Sequence, residues 1–394
     1  MRPRWPTALL LVLAAGALAG PRARDLGIPF DGTPGPLDAI TDVAGVTVGH
    51  TTLIAGEGKL VVGKGPVRTG VTAILPRGRG SVREPVFAGS HVLNGNGELT
   101  GLAWVEDSGL LLGPVMLTNT HSVGVVHDAV IAWQLRQPDL PSDDELWWSL
   151  AAVGETFDWW LNDINGFHVR AEHAFAALEG ATSGPIAEGG VGGGTGTVSF
   201  GFKGGIGTAS RVVQVAGAGY TVGALVQTNF GRREQLRIAG VPVGRDITEA
   251  IPYAGAARQK NLGDLGSIIV VVATDAPLLP HQLKRLARRV ALGVARTGGV
   301  AMNDSGELFI AFSTAATGVG AGTAAAPVAL RMLPNGSMDP LFTATVEATE
   351  EAIVNALVAG RSMTGIDGHF VMGLPHERVQ ALLRQRGVLL PPAR

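Results

Sequence analysis

Short β-branched runs alternate with glycine-bearing turns along most of this chain, and that pattern predicts its elements. After residues 20–38, which are rich in Pro, Gly and Arg and read as a loose arm, "VTVGHTTLI", "TGVTAIL" and "GPVMLTN" read as strands. Residues 119–135 and 143–161 read as helices, the second because "DDELWWSLAAVGETF" opens on acidic residues that a helix dipole favours. Residues 170–179 extend as a further helix. The glycine-dense stretch 188–211 reads as two strands joined by Gly-rich turns, and "RVVQVAGAGYTVGALVQTNFG" as a strand pair. Residues 231–266 carry no period. "SIIVVVATDAPL" then reads as a buried strand, followed by a helix whose Leu283, Leu286, Ala287, Val290, Ala291 and Val294 form one apolar face. A strand in "ELFIAFSTA" and a helix in "DPLFTATVEATEEAIVNALVAG", stopped by Gly360, follow. Strands and helices mix without a repeat or a linker, which predicts one α/β domain of layered sheets.

Composition narrows the chemistry. The chain has 394 residues, 46% of them hydrophobic and 16% charged, enough for a large buried core. A formal net charge of −2 gives no overall attraction to nucleic acid or anionic lipid. With no cysteine, disulfides, thiolate catalysis, Cys-ligated zinc and a lipoprotein anchor are excluded. The opening "MRPRWPTALLLVLAAGALAG" has Arg2 and Arg4 before an apolar run and then Ala17-Leu18-Ala19. This is the pattern of a cleaved export signal over residues 1–19, with the mature chain expected in the periplasm or outside the cell. The apolar run falls short of the roughly 20 residues a spanning helix needs.

Familiar catalytic motifs are mostly missing. There is no G-x-G-x-x-G, no G-x-S-x-G and no S-x-x-K, and Lys203 is not placed as in a P-loop. "HERVQ" begins like a zinc-binding H-E-x-x-H, but Gln380 stands where the second His belongs. His121 and His127 are six apart on an expected helix and so face different ways.

What remains is "LGSIIVVV", where Gly266 and Ser267 open the buried strand. The dipeptide reads either as an ordinary turn or as a bond that is cut. If cut, Ser267 carries an α-amine of pKa about 7.7–8.0, able to act as general base to its own hydroxyl. The same hydroxyl can make the cut by attacking the Gly266 carbonyl, an intramolecular reaction that a side-chain-free residue does not obstruct. In "NDSGELFIAFS", Ser305 and Glu307 are two apart and point the same way on an extended segment. They would relay a proton or anchor an ammonium; the plainer reading is a turn capping the strand. Asn229, at a strand end before Gly231, either donates its amide to an oxyanion or serves the turn.

Ordered blocks now add to these residues: "ITDVAGVTVGHTTL", "LNGNGELTGLAWVEDSG", "GPVMLTNTHSVG", "ETFDWWLNDING", "GGVGGGTG", "VQTNFGRRE", "GSIIVVVATDAPLLPHQL" and "NDSGELFIAFSTA". Together the chain resembles the DmpA-type aminopeptidases, the L-aminopeptidase/D-Ala-esterase/amidases and β-peptidyl aminopeptidases, over nearly its whole mature length. The resemblance implies a four-layer α/β/β/α sandwich, similar to Ntn hydrolases but differently connected. It implies a precursor that cuts itself into residues 20–266 and 267–394, which stay together as a heterodimer and assemble into a homotetramer. It assigns the nucleophile to Ser267, its helpers to Ser305 and Glu307, and the oxyanion donor to Asn229. The substrates implied are short peptides, amides or esters with a free N-terminal residue, and neither metal nor organic cofactor is needed. One departure stands out: Phe157 lies where the family often has Tyr, with Trp159 close by in the expected pocket. A lost hydroxyl donor of that kind costs about 2.7–4 kcal/mol in a transition state. Two rivals remain, an acyltransferase like the ornithine acetyltransferases, which use Thr, and a periplasmic scaffold that has lost the reaction.

Overall fold

Two β-sheets lie face to face, and helices cover both outer faces. The computed structural model describes residues 20–137, 147–215, 217–253, 266–319 and 327–391. One sheet has four strands in the order β1 (Thr47–Ala55), β2 (Val67–Arg79), β5 (Val115–Asn119), β6 (Ala152–Thr156). The other has six, in the order β4 (Leu110–Leu111), β3 (Val86–Gly95), β12 (Ser305–Ser313), β11 (Gly266–Thr274), β10 (Ala218–Asn229), β9 (Gly205–Val215). A short hairpin of β7 (Val198–Ser199) and β8 (Phe202–Lys203) stands beside the end of β10. The helices used below are α1 (Leu102–Ser108), α2 (Val123–Gln134), α3 (Ala171–Glu179), α4 (Pro280–Arg296), α5 (Asp339–Ala359) and α6 (His376–Gln385).

Period-two alternation sorts the apolar side chains into three layers. On β11, Ile268, Val270 and Val272 face α4 and α5, while Ile269, Val271 and Ala273 enter the layer between the sheets. On β12, Phe309 and Ala311 face the helices, and Leu308, Ile310 and Phe312 the inter-sheet layer. The four-stranded sheet turns Val71, Ala73 and Met116 toward α2 and α3, and Ile74 and Leu117 inward. The order of layers is therefore α/β/β/α, the sandwich expected from the resemblance. A strand with both faces covered has no polar side to show, which is why "SIIVVVA" is apolar without a break.

Most expected elements are present, and two expectations are overturned. Residues 143–161 do not form the expected helix: residues 143–146 lie outside the described residues, and Ala152–Thr156 is strand β6, paired parallel with β5. Its residues are buried on both faces, so the strand lacks the alternation that would have marked it. Residues 20–38 are likewise no loose arm. Arg22 pairs with Glu188 at 2.8 Å and Arg24 with Glu351 at 2.7 Å, and Arg211 reaches the other oxygen of Glu351 at 2.7 Å. Burial pushes the Glu351 carboxyl up, but Arg211 and Arg24 outweigh it and hold the group below its ordinary value. Residues 1–19 and 254–265, the last part of the segment before Gly266, lie outside the described residues. Among the described residues no helix is long and apolar enough to cross a membrane.

Helix α5 packs directly onto the backbone of β9. A Cβ on Gly207 would come 2.0 Å from the Ala352 carbonyl oxygen and 2.6 Å from the Ala356 nitrogen, both backbone atoms. Gly207→Ala must therefore push the helix off the sheet, and overpacking of this kind costs about 1–3 kcal/mol. A lower denaturant midpoint is expected in equilibrium unfolding, and an unchanged one would contradict this packing.

Candidate active site

The six-stranded sheet brings the expected residues to one end of three adjacent strands. β10 and β11 pair antiparallel with Asn229 opposite Ser267. β11 and β12 pair parallel, with Gly266 beside Ser305 and Ser267 beside Gly306. Three separate stretches of sequence thus meet within one strand spacing on either side of Ser267. All four polar side chains are buried: Ser267 is 2% exposed, Asn229 4%, Ser305 3% and Glu307 1%.

The Ser267 hydroxyl is buried and has no hydrogen-bond partner among the described residues. Such groups are uncommon in folded proteins, because leaving a hydroxyl unpaired costs about 1–3 kcal/mol. By alternation it shares the inter-sheet face with Ile269 and Val271. Gly266 is held closely, since a Cβ there would lie 3.0 Å from the Asn229 carbonyl oxygen and 3.1 Å from Phe230 Cα.

Asn229 is oriented at both ends of its amide. The Val198 N–H donates to Oδ1 at 2.8 Å, and Nδ2 donates to the Phe157 carbonyl at 3.1 Å. One amide hydrogen is thereby spent on Phe157, which leaves the second for another acceptor.

Ser305 Oγ donates to Glu307 Oε1, so the two residues act as one unit, as their spacing predicts. Alternation puts them on the helix-facing side with Phe309, across the strand plane from the Ser267 hydroxyl. They neighbour the Gly266–Ser267 backbone rather than the hydroxyl itself. Burial raises the Glu307 carboxyl above its ordinary value, and the Ser305 hydrogen bond offsets part of that. Its Oε2 has no partner among the described residues. The turn before Ser305 is fixed by Asn94, whose amide donates to the Met302 carbonyl at 2.7 Å and the Ser305 carbonyl at 2.6 Å.

Phe157 follows β6 directly, and its ring stacks on Trp159 with centroids 6.1 Å apart. Trp159 in turn contacts Trp160 and Tyr253 at 5.3 and 6.1 Å, so an aromatic wall stands beside the Asn229 amide.

A residue absent from the sequence expectations also enters. Glu155 is 3% exposed, accepts from the Glu98 N–H at 3.0 Å, and accepts from the Thr120 hydroxyl. Gly97 separates it from β12: a Cβ there would meet Glu155 Oε1 at 3.3 Å and Gly306 Cα at 3.5 Å. Burial raises its carboxyl, and the Glu98 charge adds to this. The signal that could have found it is an acid buried inside "AVGETF", hidden once that run is read as helix.

"HERVQ" opens helix α6, where the His376 ring bonds the Val358 carbonyl at 2.8 Å. Among the described residues no group of three or more His, Asp or Glu side chains is arranged to hold a metal ion.

The chain is similar to known aminopeptidases over nearly its whole length. The β-peptidyl aminopeptidase BapA of Sphingosinicella microcystinivorans is 52% identical, covering 97% of this chain and 97% of its own length. Among solved structures, the L-aminopeptidase D-Ala-esterase/amidase of Ochrobactrum anthropi superposes with a TM-score of 0.87 at 48% identity, over 94% of this chain and 99% of its own. That structure is described as a prototype of the serine aminopeptidases and a variant of the Ntn hydrolase fold. A Burkholderia β-aminopeptidase superposes with a TM-score of 0.84 at 48% identity, over 93% and 99% of the two chains. The family model for peptidase family S58 matches residues 38–371. On these grounds the chain is a member of peptidase family S58.

Proposed function

We propose that this chain is an exported, self-processing serine aminopeptidase that releases the N-terminal residue of short peptides, amides or esters. The observation that carries it is the Ser267 hydroxyl, without a partner among the described residues, buried opposite Asn229 and directly after Gly266. In the precursor, Ser267 Oγ attacks the Gly266 carbonyl carbon and the peptide C–N bond breaks. The proton from Oγ passes to the departing nitrogen, which becomes the α-amino group, and water hydrolyses the resulting ester to leave a Gly266 carboxylate and a free Ser267 hydroxyl. The cut yields residues 20–266 and 267–394, interleaved in one sheet, since β10 and β11 come from different pieces. A homotetramer of such heterodimers, in the periplasm or outside the cell, completes the reading, with residues 1–19 as the export signal.

In turnover the Ser267 α-amine takes the Oγ proton as Oγ attacks the substrate carbonyl. The free hydrogen of Asn229 Nδ2 and backbone N–H groups stabilise the oxyanion. The α-ammonium then gives its proton to the leaving amine, and water hydrolyses the acyl-enzyme with the amine again as base. Ser305 and Glu307 lie on the backbone side of Ser267, suited to hold the α-amine in place. Glu155, whose hydrogen-bond partners are neutral groups, supplies the negative charge for a substrate's ammonium. The relatives named as β-aminopeptidases favour β-amino N-terminal residues. Phe157 contributes its carbonyl and its ring, so the missing hydroxyl leaves the Asn229 contact intact. No observation favours acyl transfer or an inactive scaffold.

β-Alanyl-p-nitroanilide should be hydrolysed, while its N-acetyl derivative, lacking the ammonium, should resist. Asn229→Ala should lower kcat by about 10²–10³-fold, the usual loss of one oxyanion donor. Equal rates on both substrates would remove the aminopeptidase reading. A second expectation concerns pH. Because burial raises the Glu307 carboxyl, the folded chain holds its proton more tightly than the unfolded one. Its cost to stability is absent below the ordinary value of 4.5 and grows as pH rises through the raised value. Measured in the uncut Ser267→Ala background, Glu307→Gln should gain on its parent as pH rises from 4.5 through the raised value, and hold that margin above it. A gap independent of pH would contradict a buried, raised carboxyl.

A further inference from the structure

Arg233 is a buried cation that this mechanism leaves unused. It is 3% exposed, and its guanidinium is shared among backbone carbonyls. Nε donates to Phe200 at 3.0 Å, Nη1 to Ile247 and Glu249 at 3.1 Å each, and Nη2 to Gly201. Its Cζ lies 3.5 Å from the centroid of the Phe202 ring. Only a planar fork with five donors can satisfy four carbonyls and stack on a ring at once; an ammonium cannot.

The carbonyls it holds belong to a turn that needs holding. Phe200 and Gly201 have φ of 49° and 67°, so two consecutive residues lie in the left-handed region, one of them bulky. This turn joins β7 to β8 and lies along the residue after Asn229: the Phe200 N–H donates to the Phe230 carbonyl at 2.7 Å. β7 in turn supplies the Val198 N–H that fixes Asn229 Oδ1. Because an amide is planar, fixing the oxygen fixes the direction of Nδ2. If the Val198 donor moves, only the Nδ2 bond to the Phe157 carbonyl still orients the amide, and its second hydrogen is no longer aimed at one place.

We infer that Arg233 is a positioning residue for the reaction, locking the Phe200–Gly201 turn and through it the Val198 amide that aims Asn229. The inference rests on reading Asn229 as the oxyanion donor. It makes a specific demand, that Arg233 should matter only while Asn229 is present.

The test is a double-mutant cycle on the full chain, with kcat and KM for β-alanyl-p-nitroanilide counted per cut active site by intact mass. Arg233→Lys should lower kcat by about 10–10²-fold, as a small misplacement of a catalytic group does, with KM nearly unchanged. In an Asn229→Ala background the same substitution should cost no more than about twofold, since residues acting through one another are not additive. Losses that multiply in the double variant would overturn the inference, as would an unchanged kcat in Arg233→Lys. An unchanged kcat in Asn229→Ala alone would overturn the oxyanion reading itself, and this inference with it. If Arg233→Lys does not fold, Phe202→Leu, which removes the ring and leaves the carbonyls, carries the same cycle. If Asn229→Ala is inert, a crystal structure of Arg233→Lys decides: a broken Val198–Asn229 bond supports the inference and an intact one overturns it.

Discussion

The register of β11 between β10 and β12 is the constraint on which the site depends. β11 is an inner strand with both faces buried, so slipping it by one residue would send Ile269 and Val271 into the wrong layer and exchange every partner. A fully buried Ile or Val contributes about 1.5–3 kcal/mol, and this strand carries five of them, which fixes the register firmly. Asn229 is then opposite Ser267, and Gly306 beside it, as a consequence of core packing. The chemistry sits on the most immovable part of the molecule, which suits groups that must meet within fractions of an ångström.

The polar groups at this end of the sheets are held by short local bonds. Gln227, two residues before Asn229, donates across the inter-sheet layer to the Thr118 carbonyl at 2.9 Å and Thr156 Oγ1 at 2.8 Å. The layer is thus apolar along most of the strands and hydrogen-bonded at the site, joining the Asn229 strand to the one that bears Glu155. Satisfied polar contacts of this kind specify one arrangement, whereas unsatisfied ones are costly. Buried polar atoms without a partner among the described residues also lie at this end: Gln227 Oε1, Asp158 Oδ2, and, at the proposed reacting centre, Ser267 Oγ and Glu307 Oε2. That is where unmet hydrogen-bonding capacity is useful, since substrate or the new amine can meet it.

How much of this was legible in the sequence depended on how local the cause was. β11 and helix α4 were readable because a long apolar run and a 3.6-residue period are signals within one window. Ser305 and Glu307 were readable as a pair because they are two apart on a strand. β6 was not, since five residues buried on both faces carry neither period, and with it Glu155 was lost. The Arg-rich segment at 20–38 was misread because its partners Glu188 and Glu351 lie 166 and 327 residues away along the chain. The role of Arg233 was equally hidden: its acceptors are backbone carbonyls, which no side-chain pattern reveals.

The most direct test of the central claim is the intact mass of the purified protein under denaturing conditions, beside a Ser267→Ala variant. The account predicts two masses for the parent, dividing the chain between Gly266 and Ser267, and one uncut mass for the variant. A single full-length mass in both samples would contradict self-processing and leave Ser267 as no more than the first side chain of a buried strand.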